Sequence, residues 1–235
     1  MRSNAVAAGV DGCAAGWLAV VRCAGGEIDA ASFSDVAELF ANLGGARVAI
    51  DVPVGLSEES PRTCEVEARR LLGKRASSVF NCPPRSCLAF CDSYAEASAQ
   101  SFASVGKKLS KQSFAILPKI AEVDRCLQRD RDLASRVLEV HPEVCFSVWV
   151  GEAGIRHSKT SGFGFLERYR LVSQAFPGLP EEIRTKFNSA DVADDDILDA
   201  CSALWTAERY LRGEARAFGD QSVLDATGLR MLMWA

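Results

Sequence analysis

The run Arg47-Val-Ala-Ile-Asp51-Val-Pro-Val constrains this chain more than any other segment. Its β-branched and apolar residues follow one another without the polar alternation of a half-exposed strand. Both faces must therefore be covered, as in the centre of a sheet layered by helices. The polar group in its middle is an aspartate, placed where a buried strand's C-terminal end emerges, and Pro53 then stops the ladder. The remainder of the 235 residues, 48% of them apolar, must supply the neighbouring strands and both helical layers.

The order of the other runs specifies how. Ala5 to Val10 leads into Asp11-Gly12, Gly16 to Cys23 leads into Gly25-Gly26, and Glu27 to Phe33 follows, which predicts a hairpin and a third strand. Ser34-Asp35 predicts a helix cap, with Val36, Leu39, Phe40 and Leu43 at helical spacing and Gly44-Gly45 as the stop. Further helices are expected over Arg62 to Leu72, Tyr94 to Phe102, Ile120 to Gln128, about 164 to 175, and Asp194 to Arg212, with Val137 to Val140 as a fifth strand. Residues 75 to 85, with Pro83 and Pro84, read as a long functional loop. The order β-β-β-α-β-α-β-α is that of the RNase H-like fold. It predicts an α/β protein with a mixed five-stranded sheet flanked by helices, the first three strands antiparallel and the fourth and fifth parallel to the first. The expectation is a single domain over residues 1–235, with a helical insertion after the fourth strand spanning 60–130.

The acids fall at telling places. Asp11 is expected to end the first strand, Asp51 to sit within the fourth, and Asp194-Asp195-Asp196-Ile-Leu-Asp199 to open the last helix. A carboxylate inside an apolar strand is costly to bury unless positive charge compensates it, and several together would repel. Divalent metal is the natural partner. On the helix, Asp196 and Asp199 are three residues apart and Asp195 and Asp199 four, so either pair can face one ion. An acidic first turn complementing the helix dipole accounts for Asp194 and Asp195 but not for Asp199, which lies beyond it.

Charge and cysteine usage narrow the classes. The net charge is −4, yet the middle segment is basic, with Arg69, Arg70, Lys74, Arg75, Arg85, Lys107, Lys108, Lys111 and Lys119 between acidic ends. Such a patch fits either a phosphate-binding surface or a solvated helical face, and the acidic pI near 5.4 argues against sequence-blind binding of long duplexes. Nine cysteines without a recognisable export signal point to reduced thiols and a cytoplasmic protein. Cys82, Cys87 and Cys91 lack zinc-knuckle spacing and read as small buried hydrophobes. No apolar run reaches the roughly 18 residues of a membrane span.

The motifs GVDGCAAGW, IDVPVGL, LLGKRASSVF, SKQSFAILPKIAEVD, EVHPEVCF and DDDILDACSALWTA closely resemble those of domain of unknown function 429, described as predicted RNase H-like nucleases. The acids are also similar to those of Holliday-junction resolvases, in which a first-strand Asp, a fourth-strand acid and a terminal-helix DxxDA form the metal site. Asp11, Asp51, Asp196 and Asp199 take those positions, although Asp51 stands where resolvases usually carry Glu. The resemblance implies a metal-dependent nuclease hydrolysing phosphodiester bonds with two Mg²⁺ or Mn²⁺ ions, Asp11 bridging them. It also implies a nucleic acid or nucleotide substrate, short or structured, and leaves a homodimer open. Glu143 in the His141-Pro142-Glu143 turn would then be a further ligand, or a general base with His141, unless it is merely a strand-end acid. Lys159 and the group Arg85, Lys111 and Lys119 would bind phosphates. Glu122 and Asp124 would fix those cations, or form ordinary helix salt bridges. The rival classes are a non-catalytic nucleic-acid or partner-binding protein and an actin-like ATP-binding phosphotransferase. The second generally needs two such domains, and the chain has no P-loop.

Overall fold

A computed structural model describes residues 4–59, 61–151 and 154–235. In chain order the elements are β1 (Ala5–Cys13), β2 (Gly16–Cys23), β3 (Ile28–Phe33), α1 (Val36–Leu43), β4 (Arg47–Ile50), α2 (Thr63–Leu72), α3 (Tyr94–Val105), α4 (Lys111–Ala115), α5 (Leu117–Arg129), α6 (Arg131–Arg136), β5 (Val137–Val140), α7 (Pro142–Val150), α8 (Gly162–Ala175), α9 (Leu179–Lys186), α10 (Asp194–Leu211), β6 (Ala217–Phe218) and β7 (Met233–Trp234). Among the described residues no helix is long and apolar enough to cross a membrane.

The strands form a mixed sheet in the order β3-β2-β1-β4-β5-β7-β6. The β1–β2 and β2–β3 pairs are antiparallel, whereas β4 is parallel to β1 and β5 parallel to β4. The sheet thus has seven strands and not the expected five. The additional strands, β6 and β7, are two residues each, too short to leave a hydrophobic period in the sequence. Two further boundaries differ from expectation. Strand β1 continues through Asp11 to Cys13, because Asp11 pairs with Leu18 and Cys13 with Gly16 across a two-residue turn. Strand β4 ends at Ile50, so Asp51 follows the strand instead of lying in it.

By contact density the chain divides into two compact units. The first comprises residues 1–51, 136–216 and 234–235. In it α10 lies along β1, β2 and β4, burying Ile197, Leu198, Ala200, Cys201, Ala203, Leu204 and Ala207. This packing depends on Gly9: a Cβ there would lie 2.1 Å from both Ala200 O and Leu204 N, so the strand and helix backbones touch. Helix α1 forms as its cap predicts. The Asp35 carboxylate accepts from Ala37 N (2.8 Å) and Glu38 N (3.0 Å), and Val36, Leu39, Phe40 and Leu43 face inward. Helix α7 is absent from the sequence reading. His141 is its N-cap and Pro142 opens it, with no N–H to leave unpaired in the first turn.

The second unit comprises residues 52–135 and 217–233, and contains most of the segment expected to be helical. A buried ion pair anchors its start: Arg62 Nε donates to Glu65 Oε1 at 2.8 Å, while its Nη1 donates to the carbonyls of Val54 (3.1 Å) and Gly55 (3.0 Å). The loop over 75–85 is tightened by short 3₁₀ turns at Gly73–Ser78 and Arg85–Phe90. Cys87 packs with Ala97, Leu109 and Leu117 in a small apolar cluster, and burial pushes its thiol up to about 11. That is the inert, hydrophobe-like cysteine its spacing predicts.

Candidate active site

The parallel register sets the site. Val10 pairs with Ile50, and Ile50 pairs in turn with Glu139 of β5. Asp51 N donates to Val10 O at 3.0 Å, so the first residue past β4 is tied to β1 beside Asp11. Asp11 shares its face of β1 with Gly9, and that face meets α10, which contributes Asp199. Three carboxylates are thereby collected at the C-terminal end of a parallel strand pair, where open α/β sheets place their ligand sites. Asp11 and Asp199 are buried and Asp51 is partly covered.

Burial is the largest influence on all three groups. Burial holds the Asp11 carboxyl well above the usual carboxylate range, reinforced by the charges of Asp51, Asp199 and Asp196. Burial pushes Asp51 up to about 7, with Glu139 adding to it and Lys159 opposing. Burial likewise raises Asp199 to about 7, against the pull of Lys159 and with Asp51, Glu143 and Asp195 contributing. The compensating cation is Lys159, whose Nζ lies 3.4 Å from Asp199 Oδ2 and 4.0 Å from Asp195 Oδ2. The charge of Asp199 raises the ammonium's own affinity for its proton.

The other predicted residues divide into those near this cluster and those elsewhere. Asp196 belongs to it electrostatically, but its carboxylate turns back to accept from Ala193 N at 2.8 Å, capping its own helix. Glu143, in the first turn of α7, is buried and held by Arg168 of α8, whose Nε donates to Oε1 (2.8 Å) and Nη2 to Oε2 (2.7 Å). With both oxygens accepting from a guanidinium, Glu143 fits a supporting charge better than a general base. Arg85, Lys111 and Lys119 belong to the other unit. There Arg85 is clamped by both oxygens of Asp124 (2.9 Å each) and by Asp225 (2.5 Å). Asp124 thus fixes a cation as its motif suggested. Lys111 Nζ sits 3.3 Å from the centre of the Tyr94 ring, and Lys119 is half-buried on α5.

Sequence reasoning missed Glu139 and Arg168. Glu139 carried the same signal as Asp51, an acid in the apolar run VLEV. Arg168 gave none, since an arginine on an amphipathic helix is ordinarily a solvated one, and only the fold buries it against Glu143.

Whether the residues suit a divalent cation depends on their chemistry. Among the described residues no group of three or more His, Cys, Asp or Glu is already drawn together as an ion cage, and an ammonium stands among the acids. The donors nonetheless fit Mg²⁺ or Mn²⁺. They are hard carboxylate oxygens in a buried setting, with more negative charge than Lys159 offsets.

Fold and site together define an α/β protein with a buried acidic centre at the ends of its central parallel strands. The chain belongs to the family described as protein of unknown function (DUF429), whose model matches residues 9–223. No curated protein and no solved structure matches it.

Proposed function

We propose that this chain is an RNase H-like, metal-dependent hydrolase of phosphodiester bonds in nucleic acid. The strand order β3-β2-β1-β4-β5, with its antiparallel and parallel pairs, supports the fold reading. The observation that carries the activity is the convergence of Asp11, Asp51 and Asp199, all three raised first by burial, with Asp51 and Asp199 acting on Asp11 and Asp51 on Asp199. Polar groups held at such cost are characteristic of functional sites.

Asp11, Asp51 and Asp199 would hold the ions, with Glu139 and Asp196 enlarging the negative field. Bound Mg²⁺ or Mn²⁺, in a pair, would supply an activated water and a stabilised leaving oxygen. Arg168 holds both carboxylate oxygens of Glu143 and so fixes it in place. Lys159 offsets part of the acids' charge and would meet a substrate phosphate. The test is cleavage of labelled single-stranded and duplex DNA, RNA, hybrid and four-way junction with Mn²⁺, Mg²⁺ or EDTA, comparing wild type with Asp11→Asn. Metal-dependent cutting that the variant loses is expected. If both proteins are inert and neither takes up Mn²⁺ in calorimetry, the carboxylates are structural and the proposal falls.

A further inference from the structure

Lys159 lies on a loop that leads into α8, whose second residue, Phe163, is the most exposed large apolar side chain among the described residues, at 73%. The loop is not slack. Glu167 of α8 accepts from the backbone N–H groups of Arg156 (2.9 Å) and His157 (3.1 Å). Arg168 Nη1 donates to His157 O (3.3 Å) and Gly164 O (2.7 Å), so the guanidinium that fixes Glu143 also braces this loop. Ser161 caps α8 through Gly164 N (3.0 Å) and donates back to Ser158 O (2.8 Å). At Gly164 a Cβ would stand 1.8 Å from Ser158 O, which shows how closely the loop is drawn onto the helix. The outward ring of Phe163, with the His157 ring 5.7 Å away, is therefore preorganised, and Arg156 and Lys159 give the segment a cationic rim.

We propose that residues 156 to 163 form a platform for an unpaired nucleotide, Phe163 stacking on its base while Lys159 holds a backbone phosphate beside the carboxylates. The inference rests on the nuclease reading of that site and adds its substrate class, a single strand or a nucleotide splayed from a duplex. A base inside a duplex has both faces covered by its neighbours, whereas an unpaired base offers a free face to a flat ring. Four residues of chain keep the Lys159 and Phe163 backbones within roughly 14 Å, so the stacked base and the held phosphate belong to one short stretch of strand. Stacking on one aromatic residue contributes about 1–3 kcal/mol per base, which is about a fivefold to 150-fold change in affinity.

The experiment measures anisotropy of a fluorescein-labelled oligothymidine strand and of a blunt duplex. The proteins are Asp11→Asn alone and Asp11→Asn combined with Phe163→Ala or Phe163→Trp, at one salt concentration, with molar mass followed by light scattering. Phe163 is exposed, so the substitutions leave the fold intact. The proposal expects the alanine variant to lose single-strand affinity at least fivefold, the tryptophan variant to restore it, and duplex binding to change little. Equal single-strand binding by all three overturns the platform, as does a fall in molar mass with Phe163→Ala, which would reassign the ring to a second copy of the chain. Cleavage by the Asp11-containing protein is scored separately. If it cuts but Phe163→Ala cuts single strands with an unchanged KM, only the platform falls. If nothing cuts yet the binding loss is seen, the platform stands and the nuclease reading falls.

Discussion

Asp11 shows how one side chain can be set against the stability of its own fold. It shares a strand face with Gly9, is buried beneath α10 and is surrounded by Asp51, Asp196 and Asp199, with Lys159 as the opposing charge. A carboxyl whose folded pKa is raised binds protons more tightly in the native than in the unfolded chain. The stability it contributes is therefore largest below its unfolded value and is lost as pH rises through the folded one. With Asp51 and Asp199 raised from 3.8 to about 7 and Asp11 raised as well, stability in chelator should decline as pH rises from about 4 through 7. Asp11→Asn keeps the shape and removes one of the repelling charges. Thermal unfolding in EDTA at pH 8 should show it more stable than wild type, with a shallower decline as pH rises. A variant destabilised at pH 8 would mean that Asp11 is a structural group and not a strained one.

At the scale of elements, the contact between β1 and α10 decides whether the acids meet. Gly9 permits it, since any Cβ would strike backbone atoms of Ala200 and Leu204, which have no rotamer through which to move aside. Gly9→Ala must lift the helix from the strand, at a cost of about 1–3 kcal/mol, and in doing so draws Asp199 away from Asp11. Gly45→Ala is the matched control, because a Cβ at that position meets open space. Denaturant unfolding should show the loss for Gly9→Ala alone, and calorimetry a weaker uptake of Mn²⁺ by the same variant. Unchanged Mn²⁺ uptake would show that the ion site does not depend on this approach.

For the molecule as a whole, a ligand that binds the folded chain adds RT ln(1 + [L]/Kd) to its stability, about 3 kcal/mol at a hundredfold excess over Kd. Mn²⁺ titrated against wild type at pH 8 should raise its melting temperature progressively and leave Asp11→Asn almost unmoved; equal shifts in both would place the ion elsewhere. Much of this architecture was legible before any coordinates. Strong, long periodic segments such as α1 and α10 declared themselves, and so did the central strand with its aspartate, because burial on both faces leaves only apolar residues to choose from. The strands β6 and β7 did not, since two residues carry no period, and α7 did not, since its buried turns lack a polar face to mark a helix. The acids themselves followed from sequence, as an ionisable group in an apolar run has no cheap explanation. Their partners did not. Arg168 on Glu143, Asp124 on Arg85 and Lys159 on Asp199 are pairings between residues 25, 39 and 40 positions apart. Sequence alone determined which apolar runs must be buried and which acids lie within them, because hydrophobic pattern and its period are read directly along the chain. Only the tertiary structure decided which charge each one faces, because electrostatic partnership depends on distance in space.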